Sequence, residues 1–215
     1  EPASSRRSFL SASAAISVGG AVSFGAMQQA QAQSPDQKPG ESLLDTWVRT
    51  KKARIGVDLT SAPLRFKDKD GKPTGMGIEM LDILMKDIGT EHEYIEMPFA
   101  QTFAALAAGK FDMIGTFVTA LPSRAHRGTF AGLTAHYQQN IFYLKPGSKI
   151  DKLTDLNVPG KKLAAQQGTS EEVTLKSVYA KAEVLTFPQM TDAISAVGTG
   201  RADALLTDVL FLNNA

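Results

Sequence analysis

GKFDMIGTFVTALPSR, residues 109–124, combines the local signals from which the fold of this chain can be predicted. Residues 104–108 suit a helix, and Gly109 is the residue type that most often follows the end of one. Residues 111–114 contain a short apolar run, which predicts a strand buried on both faces. The polar residues that follow are Thr116, Thr119, Ser123 and Arg124. The stretch therefore predicts a helix end, a buried strand and a polar loop.

This loop places hydroxyl groups and a guanidinium just past the carboxyl end of a strand, where open α/β sheets bind their ligands. The guanidinium of Arg124 is a rigid array of donors that can hold a carboxylate through two parallel hydrogen bonds. The residues alone also allow Arg124 to be a surface residue at the start of a short helix. Both interpretations stay open at this point.

Strands and helices alternate on both sides of this stretch. We predict strands at residues 54–58, 93–97, 138–144, 161–166, 183–187 and 202–206, and helices at residues 78–88, 169–179 and 190–198. Folded structure is expected to begin near Leu43, and Asp70-Gly71 predicts a hairpin with a type I′ turn. Thr169 is a predicted helix N-cap, and Glu172 would complete a capping box. The alternation predicts an α/β fold with mostly parallel sheets flanked by helices.

Two segments of the chain resemble each other. Residues 106–112 and 197–203 each combine a helix end at glycine, a basic residue and an aspartate that precedes a short apolar strand. The two strands end at Thr116 and Thr207. The similarity predicts two α/β lobes whose strand ends face each other across a cleft, although junctions of this kind also recur by chance in α/β proteins.

The composition excludes several classes of function. The 215 residues are 43% hydrophobic and 21% charged, which is typical of a globular protein with a buried core. A formal net charge of +1 gives no reason to expect nucleic acid or another polyanion as a partner. The sequence has no cysteine, which excludes disulfides and thiol chemistry, and its three histidines lack the spacing of metal ligands. We therefore expect no metal and no cofactor.

The N-terminus has the pattern of an export signal. Arg6 and Arg7 precede residues 8–35, which carry no charge and are rich in Ala, Ser, Gly and Gln. Residues 1–33 resemble a twin-arginine signal peptide, which implies the twin-arginine export machinery as a partner and a location in the periplasm. A flexible mature start is expected at residues 34–42. A transmembrane anchor is a poorer explanation, because Gly, Ser and Gln gain little from lipid.

Several motifs occur in order along the chain: IGVD at 55–58, DKDGKPTGMGIEM at 68–80, LAAGKFD at 106–112, TALPSR at 119–124, a strand near Tyr137, LTDL at 153–156, AAQQGTSEE at 164–172 and GRADALLTD at 200–208. Together they resemble the periplasmic amino-acid-binding proteins of ABC importers, which form the bacterial extracellular solute-binding protein family 3. The resemblance implies a two-lobed periplasmic-binding-protein fold of type II.

The resemblance also implies how the chain is divided. Lobe 1 would span residues 43–137, a crossover strand at residues 138–146 would act as a hinge, and lobe 2 would span residues 147–215. Family members continue beyond the position of Asp208 and return to the first lobe. The resemblance therefore implies that the second lobe is incomplete here and that the chain is truncated at its C-terminus.

Individual residues take roles from the same resemblance. Arg124 matches the arginine that binds the α-carboxylate of the ligand, and Thr119 matches a hydroxyl that assists it. Thr169 and Ser170 match residues whose backbone N–H groups meet that carboxylate, as a helix N-terminus favours. Asp208 matches the acid that pairs with the α-amino group. The complete predicted ligand-binding set is Arg124, Thr119, Thr169, Ser170, Asp208, Phe99, Phe117, Thr116 and Ser61.

The pocket for the ligand side chain is where the chain departs from the family. Phe99 matches an apolar or aromatic wall, but the family usually has an aromatic residue at Ser61, a small residue at Phe117 and an acid at Gly77. We hypothesise that Phe117 replaces the missing aromatic from the opposite side of the cleft. Two other interpretations stay open, namely that Phe117 belongs to the core or that it fills the pocket and changes its specificity.

The resemblance implies the binding component of an ABC transporter and not an enzyme. Such a protein would close on an amino acid or a similar small polar solute and deliver it, as a monomer, to a permease in the inner membrane. Two alternatives stay open. One is a periplasmic dehydratase of the same fold that acts on cyclohexadienyl substrates such as arogenate, and the other is the sensor module of a larger receptor.

Overall fold

The computed structural model describes residues 34–132 and 140–209. Its helices are α1 Leu43–Thr50, α2 Met76–Ile88, α3 Thr102–Ala107, α4 Pro122–Ala125, α5 Ser170–Val178 and α6 Met190–Gly198, with short 3-10 turns at Phe99–Gln101 and Leu153–Leu156. Its strands are β1 Lys52–Val57, β2 Thr60–Ser61, β3 Arg65–Lys67, β4 Pro73–Thr74, β5 Glu91–Glu96, β6 Met113–Ile114, β7 Asn140–Leu144, β8 Lys162–Gln166, β9 Glu183–Phe187 and β10 Ala204–Asp208. The predicted export signal at residues 1–33 lies outside the described residues.

The first lobe, residues 34–132, is built on a parallel sheet of three strands in the order β5-β1-β6. The central strand β1 contributes Ile55 and Val57, which are fully buried. Ile78 and Met85 of α2 pack on them together with Trp47 of α1. Burial of this apolar set fixes both helices against the sheet.

Helix α1 was not among the elements predicted from the sequence. It begins after Ser42, whose hydroxyl accepts a hydrogen bond from the Asp45 amide at 3.0 Å. The preceding segment is tied to the helix as well, because Arg49 forms an ion pair with Glu41 at 2.7 Å. In the part of the chain that the structure describes, no helix is both long and apolar enough to cross a membrane.

Strands β2, β3 and β4 form a small antiparallel sheet beside the first lobe. The β3–β4 hairpin is present as predicted, but the type I′ turn is wrong. Such a turn needs positive φ at two successive residues, whereas Gly71 has a φ of +79° and Asp70 is not among the residues with positive φ. Asp68 decides the geometry, because its side chain accepts hydrogen bonds from the amides of Asp70 and Lys72.

The second lobe, residues 140–209, has a sheet in the order β7-β10-β8-β9, in which only β7 runs antiparallel. Both of its faces are covered. Helix α6 buries Val197 and Ala193 against Leu205 on one face, and α5 buries Leu175 against Leu163 on the other. The described part of the predicted crossover strand, β7, lies in this sheet, and its role as a hinge stays a prediction.

The two similar segments of the sequence make the same contacts in their own lobes. In lobe 1 the Asp112 carboxylate accepts from the Arg54 amide at 2.9 Å, and the Asp112 amide donates to the Arg54 carbonyl at 2.9 Å. In lobe 2 the carboxylate and amide of Asp203 make the corresponding bonds to Lys162 at 2.9 and 2.8 Å. The predicted two-lobed α/β fold is therefore confirmed, down to matching junctions between a helix and a strand.

Candidate functional site

Arg124 lies where the two lobes meet. The four-residue helix α4 has Pro122 at its first turn, which suits a helix start because proline lacks an amide hydrogen. The Arg124 side chain is buried, with an exposed fraction of 8%. Its Nη1 donates to the Thr119 carbonyl of the same lobe at 2.9 Å, and its Nη2 donates to the Gly168 carbonyl of the other lobe at 2.8 Å. The guanidinium thus bridges the lobes.

Two aromatic rings hold the guanidinium of Arg124 in place. Its Cζ lies 5.7 Å from the ring centroid of Phe99 and 5.5 Å from that of Phe103. Ring faces attract a cation at such distances. Burial lowers the pKa of Arg124, and the charge of Glu171 acts in the opposite direction. Because an arginine pKa starts far above neutrality, the side chain stays a cation at neutral pH.

The N-terminus of α5 faces this guanidinium from the second lobe. Thr169 is the N-cap, as predicted, and its hydroxyl accepts from the Glu172 amide at 3.3 Å. The Glu172 side chain accepts from the Gly168 amide at 2.6 Å, so the return bond of the predicted capping box ends one residue earlier than expected. The hydroxyls of Ser170 and Thr119 hydrogen-bond across the lobes at 3.2 Å.

Asp58 is a central residue of this boundary that the sequence prediction left out of the site. Its carboxylate is buried and accepts four hydrogen bonds, which come from the amide and hydroxyl of Thr60, the amide of Phe99 and the side-chain amide of Gln166. The bond from Gln166, 3.0 Å long, links the two lobes. The only signal in the sequence was its place at the end of the IGVD motif, which does not indicate its partners.

Asp208 lies at the same edge of the second sheet as Gln166. Strand β10 is parallel to β8, with Leu205 opposite Ala164. The carboxyl ends of both strands therefore point to one edge, which is also where α5 begins. Asp208 is partly buried there. The structure brings Arg124, Thr119, Thr169, Ser170 and Phe99 together, and it places Asp208 on the sheet edge beside them.

Residues 53–199 match the family model described as bacterial extracellular solute-binding proteins, family 3. The chain belongs to this family. The fold and the matching motifs agree with that membership, since the matched range includes the sheet of the first lobe almost whole, strands β7, β8 and β9 of the second lobe, the Arg124 loop and the start of α5. Strand β10, with Asp208, lies beyond that range.

Relatives of this family 3 domain include two curated proteins. A "Probable amino-acid ABC transporter-binding protein" of Haemophilus influenzae is 28% identical over 169 residues, which are 78% of this chain and 64% of that protein. The "Histidine-binding periplasmic protein" of Salmonella typhimurium is 27% identical over 159 residues, which are 73% of this chain and 60% of that protein. The chain thus spans less than two thirds of the length of either relative.

A solved structure has the same fold. The ancestral amino acid-binding protein AncCDT-1, described as a precursor of cyclohexadienyl dehydratase, superposes with a TM-score of 0.71 at 32% identity. The match covers 78% of this chain and 74% of that one. It supports the type II periplasmic-binding-protein fold that the family predicts.

The remaining predicted site residues of this family 3 domain form a second group. Ser61 and Thr116 are buried, and neither hydroxyl has a hydrogen-bond partner among the described residues. The Phe117 ring is only partly buried and lies 5.7 Å from the Cζ of Arg65. Whether Phe117 substitutes for the aromatic that Ser61 lacks stays a prediction. Arg65, which the prediction did not select, lies beside both Ser61 and Phe117.

Proposed function

We propose that this protein is the substrate-binding component of an ABC importer and that it captures an amino acid, or a similar small polar solute, between its lobes. One observation carries the proposal: Arg124 is buried at the lobe boundary and donates to a carbonyl of each lobe. The membership in family 3 and the names of the relatives support the same function.

The geometry suggests how a ligand carboxylate would bind. Arg124 now donates to the neutral carbonyl oxygens of Thr119 and Gly168, and a hydrogen bond to a charged acceptor is roughly twice as strong. A carboxylate would therefore compete well for the guanidinium. The start of α5 adds the positive end of a helix dipole, which favours an anion. Asp208, on the adjoining sheet edge, is the acid proposed to meet the ammonium group.

Partners and location follow from the same proposal. The relative from Salmonella typhimurium is named periplasmic, and the one from Haemophilus influenzae is named an ABC transporter-binding protein. We propose export to the periplasm through the signal predicted at residues 1–33, and delivery of the solute to a membrane permease by a monomer. Hinge closure would then be the step that commits a solute to transport.

Calorimetric titration of the intact protein with a panel of amino acids tests the proposal. At least one amino acid should bind, and Arg124→Gln should weaken that binding about 10- to 100-fold, because a charge-assisted hydrogen bond contributes about 1.5–3 kcal/mol. Arg49→Gln is the matched control, since Arg49 is an exposed arginine paired with Glu41 in α1. Equal losses in both variants, or no binding of any amino acid, would contradict the proposal.

A second function has one observation in its favour, because AncCDT-1 is described as a precursor of a cyclohexadienyl dehydratase. We therefore include arogenate and prephenate in the titration and assay the same samples for their dehydration products. Binding of amino acids without turnover supports the importer component. Turnover that Arg124→Gln abolishes would favour the enzyme instead.

A further inference from the structure

Arg65 is a buried cation that the carboxylate site at Arg124 does not use. Its exposed fraction is 4%, and its Nη1 has no hydrogen-bond partner among the described residues. Its Nε donates to the Asp58 carbonyl at 3.2 Å. Burial lowers the pKa of Arg65 to about 10, against the opposing effect of the Asp58 charge, so the guanidinium remains protonated at neutral pH.

Ser61 lies beside this guanidinium, and its hydroxyl is a second donor without an acceptor among the described residues. Ser61 and Arg65 are paired across the antiparallel strands β2 and β3. Paired residues of this kind project from the same face of a sheet, with Cβ atoms roughly 5 Å apart. The exposed fraction of Ser61 is 1%, and its hydroxyl has no partner among the described residues. Two neighbouring buried donors without an acceptor are uncommon in a folded protein and call for an explanation.

These two donors lie at the boundary between the lobes. Arg65 contacts the ring of Phe117, which belongs to the loop that also carries Thr119 and Arg124. Thr60, the neighbour of Ser61, accepts from the Met190 amide of the second lobe at 3.4 Å. Strand β2 thus contacts the second lobe through Thr60, and Arg65 lies beside the loop that carries Arg124.

No carboxylate is bonded directly to the Arg65 side chain among the described residues. Among the described residues Arg65 forms no ion pair, and the carboxylate that acts on it electrostatically is that of Asp58. The Asp58 carboxylate is already occupied by four hydrogen bonds from other donors. Helix α2 also begins here, since the Gly77 amide donates to the Leu64 carbonyl at 2.8 Å, and its dipole adds positive potential.

We propose that Arg65 and Ser61 bind a second anionic group of the ligand, so that the protein selects an amino acid whose side chain carries a carboxylate. The inference rests on the proposed function, because Arg124 would hold the α-carboxylate of the same molecule. Arg65 would supply Nη1 and Ser61 its hydroxyl, and the ring of Phe117 would cover the guanidinium. A ligand with a cationic side chain would meet a like charge and be rejected.

Titrations with L-glutamate, L-aspartate, their amides L-glutamine and L-asparagine, and L-arginine test the inference on the intact protein. We expect at least one acid to bind about 10- to 100-fold more tightly than its own amide, and L-arginine to bind more weakly than either. Arg65→Gln should remove this preference for the acid and change the affinity for the amide less than about 3-fold. Arg65→Lys should keep part of the preference, because it keeps the charge.

Two sets of control variants accompany Arg65→Gln. One tests whether the loss of any nearby positive charge has the same effect, and the other replaces Arg65→Gln if that variant does not fold. Lys67→Gln removes an exposed cation from the same strand, where Lys67 pairs with Glu96, and should leave the preference unchanged. If Arg65→Gln does not fold, Gly77→Asp and Gly77→Asn serve instead. A Cβ at Gly77 would lie 3.2 Å from the Cγ of Arg65, from the Leu64 carbonyl and from the Phe117 ring, so both substitutions crowd this group to the same extent and differ only in charge. The aspartate should abolish the preference by neutralising the guanidinium, whereas the asparagine, of the same shape, should preserve it.

The outcomes distinguish this inference from the proposed function. A preference for the amides or for L-arginine, or an equal effect of Arg65→Gln on acids and amides, would overturn the inference. If neutral amino acids bind through Arg124 in that case, the proposed function still stands. Failure of every amino acid to bind would overturn both.

Discussion

Asp58 shows at the scale of one residue how the site is supported. A carboxylate can only accept hydrogen bonds and has room for about four of them. All four positions of Asp58 are filled, by Thr60, Phe99 and Gln166. The residue thereby fixes the start of the 3-10 turn at Phe99, the entrance to the β2–β3 hairpin and one contact of the second lobe. Its negative charge is stabilised by these four donors.

Asp58→Asn should destabilise the protein strongly although the side chain keeps its shape. The side-chain NH2 of the asparagine would face N–H and O–H groups that now donate to the carboxylate, so some of these groups would lose their acceptor. Each buried polar group left unpaired costs about 1–3 kcal/mol. We expect the free energy of unfolding in urea to fall by about 2–4 kcal/mol. Asp87→Asn, an exposed aspartate near the end of α2, is the control and should change it by less than about 0.5 kcal/mol. Similar losses in the two variants would refute this role for Asp58.

Sequence patterns were a weak guide to such residues. Asp58 and Gln166 are 108 positions apart, and nothing in either local sequence indicates that they meet. Arg65 was equally inconspicuous, because an arginine in a short strand is normally a surface residue. Arg124 was predictable because its motif and its position after a strand pointed to the same role.

At the scale of the element, the matching junctions before β6 and β10 each tie one strand to a neighbouring strand of the same lobe. In lobe 1 the Arg54 guanidinium adds an ion pair to the Asp112 carboxylate at 2.6 Å. In lobe 2 the corresponding ion pair, between Lys161 and Asp203, is longer at 3.8 Å. The partly buried Asp112 thus joins the central strand β1 to the short strand β6. Because β6 leads directly into the Arg124 loop, this link helps to set the position of the site.

The Asp112 link should make the stability of the protein depend on pH. Burial raises the pKa of Asp112, but the hydrogen bonds from the side chain and amide of Arg54 outweigh it and leave the pKa below its usual 3.8. The unfolded chain therefore takes up this proton first as the pH falls, so the stabilisation is present above about pH 4 and is lost below it. Urea unfolding at pH 7, 5, 4 and 3 measures the effect.

Asp112→Asn provides the comparison for this pH series. The variant lacks the titrating group, so its stability at pH 7 should be lower and its loss towards pH 3 should be smaller than in the unaltered protein. Glu41, whose pKa is lowered to about 2 mainly by Arg49, titrates in both proteins and does not affect the difference. Parallel curves for the two proteins would show that Asp112 does not contribute to the pH dependence.

The elements themselves were predicted well where several signals coincided. The predicted bounds of β9 and α6 agree with the structure, because apolar periodicity and flanking turn residues marked both ends. Helix α1 was missed because its eight residues give only two turns, too few for a periodic pattern. The hairpin turn was assigned the wrong type because the side chain of Asp68, outside the Asp70-Gly71 pair, determines its geometry.

At the scale of the whole molecule, the lobes touch through backbone as well as side chains. Gly168 has a φ of +81°, and a Cβ placed on it would lie 2.9 Å from the Cα of Ala100 in the other lobe. Two hydrogen bonds between the lobes lie next to this contact. Arg124 donates to the carbonyl of Gly168 itself, and Gln166, two residues earlier, donates to Asp58. The close approach of the lobes thus depends on a residue without a side chain.

Gly168→Ala should hold the lobes apart and weaken ligand binding. We expect about a 10-fold or larger loss of affinity in calorimetry, because the added methyl group meets the backbone and cannot be accommodated by a side-chain rotation. Gly147→Ala is the matched control, since Gly147 has a similar φ of +74° and a Cβ there would have no neighbour within 4 Å. It should cost about 1 kcal/mol of stability and leave affinity unchanged. A comparable loss of affinity in both variants would rule out a role for this contact.

The contact between Gly168 and Ala100 has a kinetic consequence. The two lobes approach so closely here that even a methyl group on Gly168 would meet the Ala100 backbone, which leaves no room for a captured molecule between these two residues. A solute held beside Arg124 can leave past this contact only when the lobes separate as bodies. Its residence time should then follow the rate of that opening, and not the speed at which a small molecule diffuses out of a pocket.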